Sequence, residues 1–156
     1  MGNKAMNEPL ISDKTLRTFV GYHLKRSFNV IQSDLIETLR PFDLRMLTYT
    51  ALVLIVDNPG LNQSRLAQVM DIERPNLVIV IDELEERELI TRDRVPGDRR
   101  SYALHPTEAG LVLYERTLEA VTQHEKLLLA HVEPDKLKDL VNILNLIERT
   151  AQGKVT

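Results

Sequence analysis

Apolar residues along the chain fall into runs of distinct period. From Lys14 to Leu39, the positions Leu16, Phe19, Val20, His23, Leu24, Ser27, Val30, Ile31 and Leu35 recur at three- and four-residue steps, which predicts a long helix with one largely apolar face. Ser12 or Asp13 stands where its cap belongs, and Pro41 closes it, because the residue before a proline is pushed out of helical geometry. At 1.5 Å per residue such a helix is about 40 Å long, more than a small domain needs to cover its own core. A second helix is predicted from an Asp43 cap to Val56, ending at the turn Asp57-Asn58-Pro59-Gly60. Two short segments follow. Asn62 caps Gln63 to Met70, with Leu66, Ala67 and Met70 on one face. After Asp71-Ile72-Glu73 a further helix begins near Arg74, with Pro75 in the first turn, where its missing N–H has no helical partner to lose. Leu77, Val80, Ile81 and Leu84 form the buried stripe of that helix.

The period then shortens. Leu89 to Arg94 and Arg100 to Leu104 read as two strands flanking Pro96-Gly97-Asp98, a hairpin with a charged tip. Thr107 caps the next helix, with Leu111, Tyr114, Leu118, Val121 and Leu128 on its stripe. Pro134 opens the last, with Leu137, Leu140, Val141, Leu144 and Ile147 at helical spacing. The predicted fold is mainly α with a small β-hairpin, in the order four helices, hairpin, two helices.

Composition narrows the chemistry. A chain of 156 residues, 43% apolar and 28% charged, has the balance of one soluble globular domain. With no cysteine, disulfides, thiolate metal sites and cysteine nucleophiles are excluded. Met1 to Lys14 lacks the apolar core of a signal peptide, and Ala51–Val56 and Leu77–Ile81 are far short of the ~20 residues a membrane span needs. A cytoplasmic protein with no membrane partner is expected. The net charge of −3 argues mildly against a nucleic-acid partner, but its distribution matters more than its sum. Arg87, Arg92, Arg94, Arg99 and Arg100 cluster around the hairpin, against Glu88, Asp93 and Asp98. No phosphate loop, His-Glu-x-x-His motif or Gly-framed serine is present, so no enzyme and no cofactor is expected.

Two short helices joined by a tight turn and followed by a hairpin are the layout of a winged helix-turn-helix. The second short helix suits a major groove ~12 Å wide, and a hairpin tip carrying arginines can reach neighbouring phosphates or the minor groove. The bland reading is a solvated hairpin with ordinary surface charge. In addition, Leu61-Asn62-Gln63-Ser64-Arg65-Leu66-Ala67, Leu84-Glu85-Glu86-Arg87-Glu88-Leu89-Ile90-Thr91-Arg92, Asp98-Arg99-Arg100 and Thr107-Glu108-Ala109-Gly110 together resemble the multiple antibiotic resistance regulator (MarR) family. The resemblance covers roughly Leu16 to Thr150 in the same element order. It implies one domain over 1–156: an intertwined helical homodimer built by residues 14–40 and 107–150, and a DNA-binding lobe over 43–105.

By the same resemblance, the segment Arg74 to Asp82 is the recognition helix. Arg74 and Asn76 are candidates for base edges, Asn having the geometry for adenine. Gln63, Ser64 and Arg65 are placed to meet phosphate. At the wing, Arg94, Arg99 or Arg100 would contact double-stranded DNA while Asp98 orients an arginine or stabilises the turn. Three departures stand out. Val78 and Ile79 occupy positions where polar readers are common, so either they touch thymine methyls or the helix has less polar readout than usual. Glu88 replaces the typical helix-ending glycine. His105-Pro106 precedes Thr107 where an apolar residue is frequent.

The family implies a ligand-responsive repressor on a pseudo-palindromic operator, released by a small-molecule effector such as an aromatic acid or its coenzyme A thioester. Candidate pocket residues are Tyr22, His23, Arg26, Met46 and Tyr49. Arg26 suits a carboxylate, while His23, Met46 and Tyr49 could equally serve as core. Two other readings are weighed: a winged helix used for protein contact without DNA, and a metal-responsive regulator using His124 and His131 on one helix face, with Glu125 nearby and His23 available. Those histidines are seven apart, a spacing zinc sites rarely use, so no metal is expected.

Overall fold

The computed structural model describes residues 11–95 and 98–151, and of 95, 98–101 and 151 the backbone alone. It divides into two compact units, Met1–Asp34 and Leu35–Thr156, and the division falls inside the first long helix.

In the N-terminal unit the predicted start of that helix is corrected. A single 3-10 turn covers Leu16–Thr18, and α1 runs Val20–Leu39. Phe19 between them is extended, at φ −103° and ψ 129°. The reason lies in Asp13, whose carboxylate does not cap the chain. It accepts instead from Tyr22 Oη at 2.7 Å and Arg17 Nε at 2.9 Å, while Thr18 Oγ1 donates to the Thr15 carbonyl at 2.7 Å. Helical bonding is thereby closed early and restarted at Val20. Phe19, Val20, Phe28, Val30 and Ile31 are all exposed.

The larger unit holds the core. After a 3-10 turn at Arg40–Phe42 come α2 (Met46–Asp57), a two-residue strand β1 (Leu61–Asn62), α3 (Gln63–Val69) and α4 (Arg74–Glu86). The strands β2 (Ile90–Val95) and β3 (Asp98–Pro106) lead into α5 (Glu108–Leu128) and α6 (Pro134–Ala151). Ala51, Leu52 and Ile55 of α2 pack with Leu66 and Ala67 of α3. The α4 stripe of Leu77, Val80, Ile81 and Leu84, with Leu89, Ile90 and Leu104, completes one buried cluster. Asp43 does not cap α2. It closes the 3-10 turn in left-handed geometry, and α2 starts at Arg45, whose N–H donates to Thr48 Oγ1 at 3.2 Å.

The hairpin gains a third strand. β1 pairs antiparallel with β3 through Leu61 opposite Leu104 and Asn62 opposite Ala103, so the strand order is β1-β3-β2. β2 and β3 run in register from Ile90 opposite Pro106 to Arg94 opposite Tyr102, with an irregularity before Val95. His105-Pro106 therefore continues the strand. Proline is tolerated there because Thr107 N–H, not the proline nitrogen, bonds the Leu89 carbonyl at 3.0 Å, and the proline nitrogen faces the side where β1 pairs only as far as Leu104.

Glu88 does the work of the missing glycine. It is left-handed, at φ 55°; its N–H reaches the Glu85 carbonyl at 2.8 Å, and Leu89 N–H reaches Leu84 at 2.9 Å. These are the paired bonds of a Schellman cap. Asp71, at φ 52°, repeats the pattern after α3, with Ile72 N–H on Ala67 at 3.1 Å. Thr107 Oγ1 donates to the Glu88 carbonyl at 2.7 Å and accepts from Gly110 N–H at 3.0 Å, which ties the end of α4 to the start of α5. Gly110 is required at that joint, since a Cβ there would lie 2.0 Å from the Leu89 carbonyl oxygen.

The terminal helices contribute little to this core. Leu111 and Leu118 of α5 are exposed, as are Leu140, Val141, Leu144 and Ile147 of the predicted α6 stripe. Among the described residues, no helix is long and apolar enough to cross a membrane.

Candidate functional site

Three elements converge at one face of the larger unit. Asn62 Oδ1 accepts from Arg65 N–H at 2.8 Å and starts α3, leaving Ser64 and Arg65 exposed in its first turn. The Glu73 carbonyl accepts from Asn76 and Leu77 N–H, at 3.0 and 3.1 Å, and starts α4 with Pro75 in the tolerated position. With the apolar stripe of α4 turned to the core, Arg74, Asn76, Val78 and Ile79 are exposed.

An open groove of about 610 Å³ runs between the two helix starts, lined among others by Ser64, Arg65, Gln68, Ile72 and Arg74. A narrower cleft of about 170 Å³ adjoins it, where Gln63, Ser64, Arg74 and Val78 meet Tyr102 of β3. Gln63 is half-buried, and its amide nitrogen has no hydrogen-bond partner among the described residues. The structure thus brings Gln63, Ser64, Arg65, Arg74 and Val78 together. It adds Gln68 and Tyr102, which the sequence reading missed. Gln68 had a usable signal, since it lies four residues after Ser64 and so on the same helix face. Tyr102 had none, because its place depends on strand register.

Arg94 is exposed on β2, opposite Tyr102. The backbones of Asp98, Arg99 and Arg100 belong to β3, while their side chains lie outside the described part of the structure. Two arginines of the hairpin cluster have other duties. Arg92 Nε donates to Glu85 at 2.8 Å and Nη2 to Asp82 at 2.6 Å, crossing from β2 to α4. The bond to Glu85, foremost, raises the guanidinium pKa further. Arg87 donates to the backbone carbonyls of Asp43 at 2.6 Å and Phe42 at 3.1 Å. Arg45 pairs with Glu83, which also accepts from Thr48 Oγ1 at 3.4 Å. The positive cluster inferred from sequence is therefore partly a set of clamps on α4.

The effector candidates fall into two groups, one in each unit. On α1, Arg26 Nη1 lies 3.5 Å from Tyr22 Oη, and its guanidinium is 5.7 Å from the Tyr22 ring centre. His23 Nε2 bonds the Arg17 carbonyl at 2.8 Å. The Tyr22 and Arg17 hydrogen bonds hold the Asp13 carboxyl below the ordinary aspartate range. On α2, Met46 and Tyr49 are half-buried one turn apart. Burial, aided by Tyr114 and Glu125, pushes the Tyr49 phenol above its ordinary value. His131 falls in the turn beyond α5, not on a shared helix face with His124. Among the described residues, no group of three or more His, Asp or Glu side chains is arranged to hold a metal ion.

Residues 44–102 match the model of the MarR family. Over 101 residues the chain is 39% identical to a putative transcriptional regulatory protein for the hcr operon of Thauera aromatica, covering 65% of this chain and 61% of that relative. The transcriptional repressor CouR bound to a 23-mer DNA duplex superposes with a TM-score of 0.84 at 34% identity, over 89% of this chain and 99% of that one. CouR bound to p-coumaroyl-CoA superposes at 0.79 with 31% identity, over 89% and 98%.

Proposed function

The chain belongs to the MarR family of transcriptional regulators, and on that premise we propose that it binds double-stranded DNA as a homodimer. In this reading the larger unit supplies the DNA-binding lobe over 43–105, while residues 14–40 and 107–150 supply the dimer contacts. The observation that carries it is the convergence of Ser64, Arg65 and Arg74 on one groove, with Val78 in the cleft that adjoins it through Ser64 and Arg74. Gln63, Ser64 and Arg65 meet phosphate, Arg74 and Asn76 meet base edges, and Arg94, Arg99 or Arg100 contacts the flanking DNA. The partner is a pseudo-palindromic operator with half-sites about 34–36 Å apart. The protein works as a cytoplasmic repressor.

The effector is an aromatic acid or its coenzyme A thioester, with Tyr22, His23 and Arg26 of the N-terminal unit as one set of candidate contacts and Met46 and Tyr49 of the larger unit as another. CouR, a relative that has been solved both with DNA and with p-coumaroyl-CoA, supports this choice of chemical class. Titration with duplex DNA across a salt series tests the reading. Affinity should fall steeply as salt rises, because bound phosphates release counterions. Arg99→Ala and Arg100→Ala should weaken binding on all sequences and flatten the slope. No binding at low salt would overturn the assignment. Aromatic acyl-CoA thioesters, added to the complex, should displace the duplex where coenzyme A alone does not.

A further inference from the structure

The helix α4 carries six aliphatic residues between Leu77 and Leu84. Leu77, Val80, Ile81 and Leu84 are buried, whereas Val78 is 44% exposed and Ile79 60%. At 3.6 residues per turn the buried four share one side, and Pro75 and Ile79 point away from it, with Val78 on the flank beside Arg74. Val78 also lines the cleft with Ser64, Arg74 and Tyr102. The exposed apolar pair therefore adjoins the face proposed to meet DNA.

Charge favours a polyanion there. Arg65 and Arg74 line the groove against a single acid among the described residues, Glu73. Further along α4, Asp82 and Glu85 are paired to Arg92, and Glu83 to Arg45, so three carboxylates near the patch are already answered; Glu73 and Glu86 are the exposed acids of this helix and its cap. Among the groups presented by base pairs in a major groove, the apolar one is the thymine C5-methyl. Val and Ile are well suited to it, since β-branching holds χ1 in one preferred rotamer in a helix and their methyls are placed before contact.

We propose that Val78 and Ile79 read thymine C5-methyl groups in each half-site of the operator, giving this regulator sequence selectivity through apolar contact. The inference rests on the DNA-binding reading above and names what its recognition helix selects. Hydrogen bonding by Arg74 and Asn76 then fixes register, and the methyl contacts decide between T·A and the other pairs.

The test uses the full-length protein and duplexes enriched by it from a randomised library. Each thymine of an enriched duplex is replaced in turn by uracil, which removes the methyl and leaves every hydrogen-bonding group in place. At the thymines facing Val78 and Ile79, each replacement should weaken binding about fourfold, the transfer cost of one buried methyl. In the Val78→Ala/Ile79→Ala protein the same replacements should have little effect, while its melting temperature and oligomeric state match the parent. Enriched duplexes that bind equally well with uracil at every position overturn the inference and leave the DNA-binding reading intact. So does undiminished uracil sensitivity in the double variant. A changed oligomeric state in that variant would assign the patch to a second copy of the chain instead. Failure to enrich any duplex overturns both readings.

Discussion

Three acidic residues, Asp43, Asp71 and Glu88, occupy left-handed backbone conformations at helix ends. An L side chain there costs about 1 kcal/mol relative to glycine, and a carboxylate near a helix C-terminus adds repulsion from the last carbonyls. Glu88→Gly should therefore stabilise the fold by about 1 kcal/mol, seen as a higher urea midpoint with an unchanged slope. Gly110→Ala should do the reverse. Its new methyl would meet the Leu89 carbonyl oxygen, so α5 must shift from the strand end or the Thr107 cap must open. A melting temperature equal to the parent's would refute that joint. Caps made by side chains, such as Asn62 and Thr107, were legible in the sequence, because the acceptor and its N–H donor are three residues apart. Glu88 could be identified only as an anomaly. Asp43 misled, because a cap-forming residue type also tolerates left-handed geometry.

At the scale of elements, α4 is held by ion pairs and carbonyl contacts from several directions, and these would let the acidic helix proposed here for recognition approach DNA. Arg92→Ala would leave Asp82 and Glu85 without their cation. The pair is partly solvated, so the loss of stability should be modest, about 1 kcal/mol. The effect on DNA should be larger and independent of sequence, since two carboxylates on the helix proposed to meet DNA would then repel phosphate. Arg92→Lys should restore little of it, because an ammonium cannot span two carboxylates as a guanidinium fork does. Equal DNA affinity of Arg92→Ala and parent would contradict this account. The helix and its buried stripe followed from period alone. Its clamps did not, because Arg92 meets Asp82 across ten residues of chain and Arg87 meets Phe42 across forty-five. The two-residue strand β1 was equally unreadable, being too short to show a period.

For the whole molecule, the apolar stripes of α1, α5 and α6 were readable as stripes. What the sequence could not distinguish is a stripe that packs within its own chain from one kept for a partner. Leu39 of α1 and Thr117 of α5 are fully buried, yet α6 has no buried position among its described side chains. Exposure of Leu140, Val141, Ile143, Leu144, Leu146 and Ile147 along one helix exceeds the scattered apolar residues normal on a monomer. The proposed homodimer covers them. Its melting temperature should then rise with protein concentration, by mass action, and sedimentation at micromolar concentration should give twice the chain mass. A concentration-independent transition would argue for a monomer.

The bare face of α6 also has a consequence in time. A helix that gains its packing from a second chain is intact only while the partner stays bound, so a chain that has lost its partner presents α6 to proteases. Cleavage within Pro134–Ala151 should therefore accelerate on dilution and slow again when concentration is restored. In a cell, the regulator's abundance would then set its own lifetime, with scarce chains removed faster than plentiful ones.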